Sequence, residues 1–432
     1  MLFAVYVGTA GVDAAGGAEF AGDEPHFLIA AESLADGGDL DLADEYAGRR
    51  SGESGGGRRD GSMVRTDGRL VGGRLVEPHG IGFPLLIAPA YALAGDSLVV
   101  VIVAAVGALA FVLAAALARR VVPEPWATWA ALLVGLSPPV VAHSTAVLPV
   151  LAAGALLAGA ALSALAVRER PLMRSAFGGA ALLAVLPWLD PWLLVPAAPV
   201  AVLLARWTAR RGRGLVALGT VELQVASLVF YVSLNDRLYG GFTPLAVLDG
   251  PVTGASTPVD YLGRLPRLAG LFVDRDVGLL RWAPVMALAF LGVWLLGRSR
   301  RERLARLVAE QRDAEHAAFV AFAVCAGQVA VAAFASRSLE GPWFPGTQLV
   351  AALPCAVPLV AWGLRRAPRT GWALGALTLA ASAWLALTAE WAPPDSDAPW
   401  GPLVAAFPAG AGLAMAVSLG VALWCERREL RL

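Results

Sequence analysis

Apolar runs of roughly 17–25 residues recur along almost the whole chain, and each is long enough, as a helix, to cross the ~30 Å hydrocarbon layer of a bilayer. In lipid every backbone N–H and C=O must be satisfied inside the protein, so runs of this length fold as helices. Ala, Gly, Leu and Val dominate them, and small residues let neighbouring helices approach closely. The fold class expected is all-α: a polytopic transmembrane bundle of about twelve spans, with short interfacial helices in its first extracytoplasmic loop.

Composition excludes two other classes. Of 432 residues 57% are hydrophobic and only 16% charged, too few charges for a soluble domain of this length. The formal net charge is zero, which argues against a nucleic-acid partner. All basic side chains are arginine. Cys325, Cys355 and Cys425 lie in apolar runs and read as small buried hydrophobes, not as disulfides or metal ligands.

The expected spans are a short first helix from Leu2 to about Ala18, then 97–118, 126–141, 146–167, 175–188, 191–206, 214–234, 277–297, 316–335, 348–364, 371–389 and 402–425. The first has no basic region before it, so it is not read as a cleaved signal peptide. Residues 19–83 form the first loop and 84–432 the bundle, within one integral membrane domain. A short helix is expected from Pro25 to about Ala35. A flexible Gly/Arg/Ser-rich stretch follows from Gly48 to Gly73, and 84–94 is an apolar segment too short to span.

Arginines cluster in every second connection: 119–120, 168–174, 206–213, 298–306, 365–369 and 427–431. By the positive-inside rule those connections and both termini are cytoplasmic, in the plasma membrane. The first loop then faces out, and it carries Gly22-Asp23-Glu24-Pro25-His26-Phe27. Two carboxylates and an imidazole just outside a bilayer suit acid–base work on a lipid-borne substrate. Proline suits the first turn of a helix and an acidic residue caps it, so Asp23 also reads simply as an N-cap. A helix N-terminus favours the ionised carboxylate and attracts phosphate.

Asp23 and Glu24 are the candidate catalytic residues. His26 can donate to a phosphate or join a divalent-cation site, although the two carboxylates and one histidine are a thin ligand set, and no metal ligand is assigned. His79 faces the same side and can line a cavity. Asp190, between Trp188 and Trp192 at the tip of a short hairpin, and Arg281 and Arg337, outward-facing beside apolar helices, are the remaining candidates for substrate binding. Arg275 has the same character. Glu222, inside a span, is expected to pair with an arginine. The acidic patch Asp39 to Glu45 reads as a solvated surface. There is no P-loop, HExxH or nucleophile-elbow motif.

Gly22 to Leu28, followed by Ser33 to Leu42, resembles the first extracytoplasmic loop of bacterial GT-C glycosyltransferases, multi-pass proteins similar to the dolichyl-phosphate-mannose-protein mannosyltransferases. Gly82 to Pro89, Tyr239 to Pro244 and Gly278 to Pro284 continue the resemblance in order along the chain. It implies a GT-C-like bundle and a polyprenyl-phosphate-linked sugar donor. It also implies a protein, lipid or glycan acceptor, Asp23 as base with Glu24 adjacent, and inversion at the anomeric carbon. Three positions depart from the family pattern: Val150 stands where relatives often carry an acid, Gly346-Thr347-Gln348 where they often carry Arg-Tyr, and Asp190 where they often carry a base.

The alternatives are a transporter or lipid-carrier flippase, a catalytically inactive GT-C relative, and a scaffold in an envelope-assembly complex. A two-half transporter usually has a long cytoplasmic link and ionisable groups near mid-membrane. Here the longest polar loop is the first, it faces out, and the carboxylates sit at the surface.

Overall fold

The computed structural model describes residues 1–10, 12, 20, 22–51, 68–170, 172–210, 213–248, 250–274, 278–299, 309–337 and 346–388. The expected span 402–425, most of the Gly/Arg-rich stretch and Arg275 lie outside these residues.

α1 (Leu2–Gly8) opens the chain, and the first loop then carries α2 (Glu24–Asp36), α3 (Ala43–Ser51) and an antiparallel hairpin, β1 (Arg69–Val71) and β2 (Arg74–Val76). The bundle follows: α4 (Gly82–Ala118), α5 (Trp126–Gly135), α6 (Pro138–His143), α7 (Val150–Glu169), α8 (Met173–Leu189), α9 (Leu194–Arg210) and α10 (Gly214–Tyr239). Two short helices, α11 (Pro258–Gly263) and α12 (Arg267–Val273), lead into α13 (Leu279–Trp282), α14 (Ala287–Ser299), α15 (Ala309–Ala330), α16 (Thr347–Val350), α17 (Leu353–Arg366) and α18 (Pro368–Thr388).

Among the described residues six helices are long and apolar enough to cross a membrane, and three shorter apolar helices accompany them, at 126–135, 173–189 and 284–298. The chain is thus an integral membrane protein of the expected all-helical polytopic class. Among the described residues several of the about twelve expected runs are broken. α1 stops at Gly8. The run 126–141 divides at Leu136-Ser137, just before Pro138-Pro139, and 277–297 divides around Ala283-Pro284. Proline lacks the N–H that would continue a helix. Two hydroxyls of α18 repair these breaks: Ser382 donates to the Leu136 carbonyl at 2.5 Å, and Thr378 Oγ1 accepts the Val285 N–H at 3.1 Å. Such repair is what lets non-helical backbone exist inside a bundle.

The apolar segment 84–94 is not a separate element. It is the first third of α4 and is set off from the rest by Ala94 and Gly95, whose φ of +63° is open to glycine. The hairpin corrects the reading of Gly48 to Gly73 as wholly flexible. Gly72 and Gly73 both have positive φ, the geometry of a two-residue hairpin turn. The acidic patch is not merely solvated: Asp41 Oδ1 accepts N–H bonds from Leu75 (3.0 Å) and Ala43 (3.3 Å), pinning the hairpin to α3.

The core lies along α4, α7 and α17, with α14 packed on α17. A side chain at Gly292 of α14 would run into the Leu359 carbonyl of α17, and one at Gly363 of α17 into the Leu288 carbonyl of α14. These reciprocal glycines set the closest helix pair. Glu222 is exposed on α10, and its expected pairing with an arginine is not seen among the described residues.

Candidate active site

Elements distant in sequence converge around a cavity of about 560 Å³. Asp23, at the N-terminus of α2, lies on one wall with His79, which follows β2. The α8–α9 tip brings Asp190, and the N-terminal end of α7 brings Val150. The turn after α15 brings Ser336 and Arg337, and α16 brings Thr347 and Gln348.

Asp23 precedes Pro25 as expected of an N-cap, yet its side chain makes no capping bond. It is about half exposed (52%), with Oδ1 3.6 Å from His79 Nε2. Burial alone would raise its pKa. The neighbouring His79 imidazole, with His26 behind it, outweighs that and holds it below the ordinary carboxylate value. The group is therefore ionised and ready to accept a proton.

Glu24 points elsewhere. Its carboxylate is buried and accepts the Val147 N–H at 2.8 Å, anchoring α2 to the segment before α7. His26 is also buried, one turn into α2. Its Nδ1 lies 3.0 and 3.1 Å from the two Glu77 oxygens and 2.9 Å from the Tyr46 hydroxyl, which itself donates to Glu77. Burial pushes Glu77 up, but His26, Tyr46 and His79 together draw it below its usual value. His26, Glu77 and His79 each offer a metal-ligand atom, all within 4.8 Å of one another.

Asp190 sits at the tip of the expected short hairpin and accepts the Trp192 N–H at 2.8 Å, capping a short 3-10 turn. The tip is held close by Gly82: any side chain there would collide with the Trp188 main chain. Arg337 reaches back to the carbonyls of Val252 and Pro251, both at 3.3 Å. Arg264 and Arg267 fix the same turn by donating to the Ser336 carbonyl at 3.3 and 2.9 Å. A π-helical turn, Val331–Ala335, delivers Ser336 and Arg337 to the cavity. Arg281 is not brought there: it is buried on α13 with its guanidinium 5.5 Å from the Trp282 ring.

Asp23, His79, Asp190 and Arg337 are thus gathered around one cavity. His26 stands one layer behind, and Glu24 and Arg281 are absent from the lining. Sequence reasoning missed Glu77, Tyr46, Gln328, Ser336 and His143. His143 is fully buried; it donates from Nδ1 to the Pro139 carbonyl (2.6 Å), so Nε2 accepts from the Thr347 hydroxyl (3.0 Å). One signal was available: Glu-Pro-His occurs twice, at 24–26 and 77–79, and its two histidines meet.

This architecture is a polytopic helical bundle in which several helix ends and turns line one cavity. Two solved structures share the fold. ArnT from Cupriavidus metallidurans in the apo state superposes with a TM-score of 0.55 at 15% identity, over 98% of this chain and 74% of that one. The same protein bound to undecaprenyl phosphate gives 0.51 at 13% identity, over 98% and 75%. No family model and no curated protein matches the chain.

Proposed function

We propose that the chain is a membrane glycosyltransferase that moves a sugar from a polyprenyl-phosphate-linked donor to an extracytoplasmic protein, lipid or glycan acceptor. The observation that carries this reading is the pairing, in one cavity, of an ionised, half-exposed Asp23 with Arg337. A base on one side and a guanidinium on the other are what sugar transfer from a phosphate requires. The structure of ArnT bound to undecaprenyl phosphate supports the same donor class.

In this reaction the acceptor hydroxyl oxygen attacks the anomeric carbon while the bond from that carbon to the phosphate oxygen breaks. Asp23 takes the hydroxyl proton. Arg337 faces the departing phosphate, whose charge grows as the bond breaks. Single displacement inverts the anomeric centre and leaves no sugar on the enzyme. His79 holds Asp23 ionised and oriented. The arginine distribution supports an orientation with this end of the bundle outside the cell and both termini cytoplasmic.

The test is transfer by the purified protein from a panel of labelled polyprenyl-phosphate sugars. Asp23→Asn is expected to lower turnover by about 10²–10⁴-fold, the usual worth of a general base, at unchanged abundance. Undiminished turnover in Asp23→Asn would remove the proposed base. Solute uptake into vesicles with no glycosyl product would favour a transporter.

A further inference from the structure

We infer that an anionic phospholipid binds in a groove between the N-terminal ends of α8 and α10, at the opposite end of α8 from the Asp190 tip. The groove has a volume of about 640 Å³ and is lined by Met173 of α8 and by Arg213, Gly214, Leu215, Val216 and Leu218 at the start of α10. Its form follows from how the two helices are joined. Toward the Asp190 tip they are stitched together: Trp188 Nε1 donates to the Ser227 hydroxyl at 3.0 Å, and Ser227 donates to the Ala184 carbonyl at 2.8 Å. Further along, the Phe177 ring lies over Gly219, where an added Cβ would be 3.1 Å from it. Beyond that contact the groove opens between Met173 and Leu218.

The lining suits acyl chains. Leu215 is 85% exposed, Leu218 62% and Met173 54%, and apolar surface of this kind is covered by lipid tails. Such a groove alone would accept the tails of any lipid. The arginines select the headgroup. Arg213 lines the groove, and Arg174 follows Met173 at its rim. Both are exposed, and neither forms an ion pair among the described residues. Other arginines at this end of the bundle are matched: Arg119 with Glu124, Arg120 with Glu169, and Arg168 over the Trp207 ring.

The local sequence supplies Arg174 and Arg213 with no carboxylate. Between Arg170 and Val221 the only acid is Asp190, which follows the C-terminal end of α8. Arg206 and Arg210, near the end of α9, add to the positive charge. The next acid on α10 is Glu222, more than two turns beyond Arg213, about 13 Å along the axis. A phosphodiester at the mouth of the groove supplies the missing negative charge, and clustered arginines beside a membrane helix are the usual recognition for it. Its tails run along Leu215 and Leu218 toward Phe177. The lipid fills the open end of the α8–α10 pair and steadies the helix that carries Asp190 at its other end. In the orientation proposed above, this is the cytoplasmic leaflet.

Lipid binding here is independent of sugar transfer, and measured in detergent it is independent of membrane orientation. The delipidated full-length protein is titrated with dioleoylphosphatidylglycerol, with dioleoylphosphatidylcholine as the neutral comparison and inorganic phosphate as the charge without tails. Native mass spectrometry counts bound lipid, and the thermal unfolding midpoint is followed in parallel. One phosphatidylglycerol per chain is expected, bound about 30-fold more tightly than phosphatidylcholine, the worth of two arginines beside an anionic headgroup. Arg213→Gln should lower that preference about five-fold, the double change Arg174→Gln, Arg213→Gln should abolish it, and Arg213→Lys should keep it. Both arginines are exposed, so these variants should fold as wild type does. Arg369→Gln, at the start of α18 and outside the groove lining, should bind as wild type. Equal affinity for the two lipids would overturn the proposal, as would a loss in Arg369→Gln matching that in Arg213→Gln. Stabilisation by phosphate as great as by phosphatidylglycerol would also refute it, by showing a site for soluble anions.

Discussion

The rings of His26 and His79 stack with centroids 5.1 Å apart and planes 11° apart. Each histidine ends a Glu-Pro-His tripeptide, but the two glutamates have parted company. Glu77 lies against both imidazoles, whereas Glu24 faces away and holds the Val147 N–H. The difference comes from context. Glu24 and His26 point in different directions from the first turn of α2, while Glu77 lies in extended chain leaving β2.

This separates the roles of Asp23 and Glu24. Glu24→Gln keeps an acceptor oxygen for Val147 and should retain sugar transfer. Glu24→Ala leaves a buried N–H without its partner, which costs about 1–3 kcal/mol. Its unfolding midpoint should therefore fall while the residual folded enzyme keeps its turnover. A Glu24→Gln protein of normal stability and no turnover would instead make Glu24 the base.

The helices were legible in the sequence because the bilayer leaves few alternatives. The expected spans 191–206 and 348–364 became α9 and α17 with small shifts of boundary, while 97–118 became the C-terminal part of the longer α4. The breaks were harder to see. Nothing local to Leu136 reveals that Ser382, far along the chain, will satisfy its carbonyl. Asp23 stood out because a carboxylate before Glu-Pro has a local meaning. Glu77 and Tyr46 did not, because what matters about them is burial against His26, and burial is decided by the tertiary fold. Gly72-Gly73 between two Leu-Val pairs was a readable hairpin signal that composition had concealed. Three family departures, Val150, Asp190 and the Thr347-Gln348 pair, look scattered in the sequence yet all line the one cavity.

Arg337 and Arg281, alike as outward arginines in the sequence, should now behave differently. Arg337→Lys keeps the charge and loses the planar guanidinium, which under the proposed reading turns from the Val252 and Pro251 carbonyls to the donor phosphate. The donor KM, and inhibition by free polyprenyl phosphate, should weaken roughly 10–100-fold, equivalent to about 1.5–3 kcal/mol for a charge-assisted bond. Arg281→Lys lies outside the cavity lining and should leave both constants alone, its effect appearing only in stability. Equal effects on KM from both variants would contradict the placement of the phosphate at Arg337.

Gly82 and Trp188 provide a test of the α8–α9 tip. A Cβ on Gly82 meets the Trp188 carbonyl, and main chain cannot rotate aside. Gly82→Ala should cost about 1–3 kcal/mol by overpacking. It should also displace Asp190, two residues on, so transfer falls further than lost stability explains. Gly178 on α8 has open space where a Cβ would go, and Gly178→Ala should be neutral or stabilising by up to ~1 kcal/mol. Differential scanning of the two variants beside wild type, with turnover per folded molecule, measures both effects.

Gln328 makes the sharpest prediction about the sugar itself. It lines the cavity from α15, and its amide Nε2 donates to the Gln348 carbonyl at 2.8 Å. Ser336 in turn donates to Gln348 Oε1 at 2.9 Å, so these three residues form one uncharged polar wall. Gln328 Oε1 is buried and has no donor among the described residues. A turn of the Gln328 amide toward the cavity would bring this oxygen to a donor-sugar hydroxyl, and a site built to hold a hydroxyl rejects the analogue that lacks it. Gln328→Leu should therefore lower kcat/KM for the hydroxylated donor by about 5–150-fold, corresponding to about 1–3 kcal/mol. It should affect the matching deoxy-sugar donor far less. The ratio of the two kcat/KM values is the measurement, and it cancels any general loss of folded protein. A ratio unchanged from wild type would place the sugar on another wall, that of Asp190.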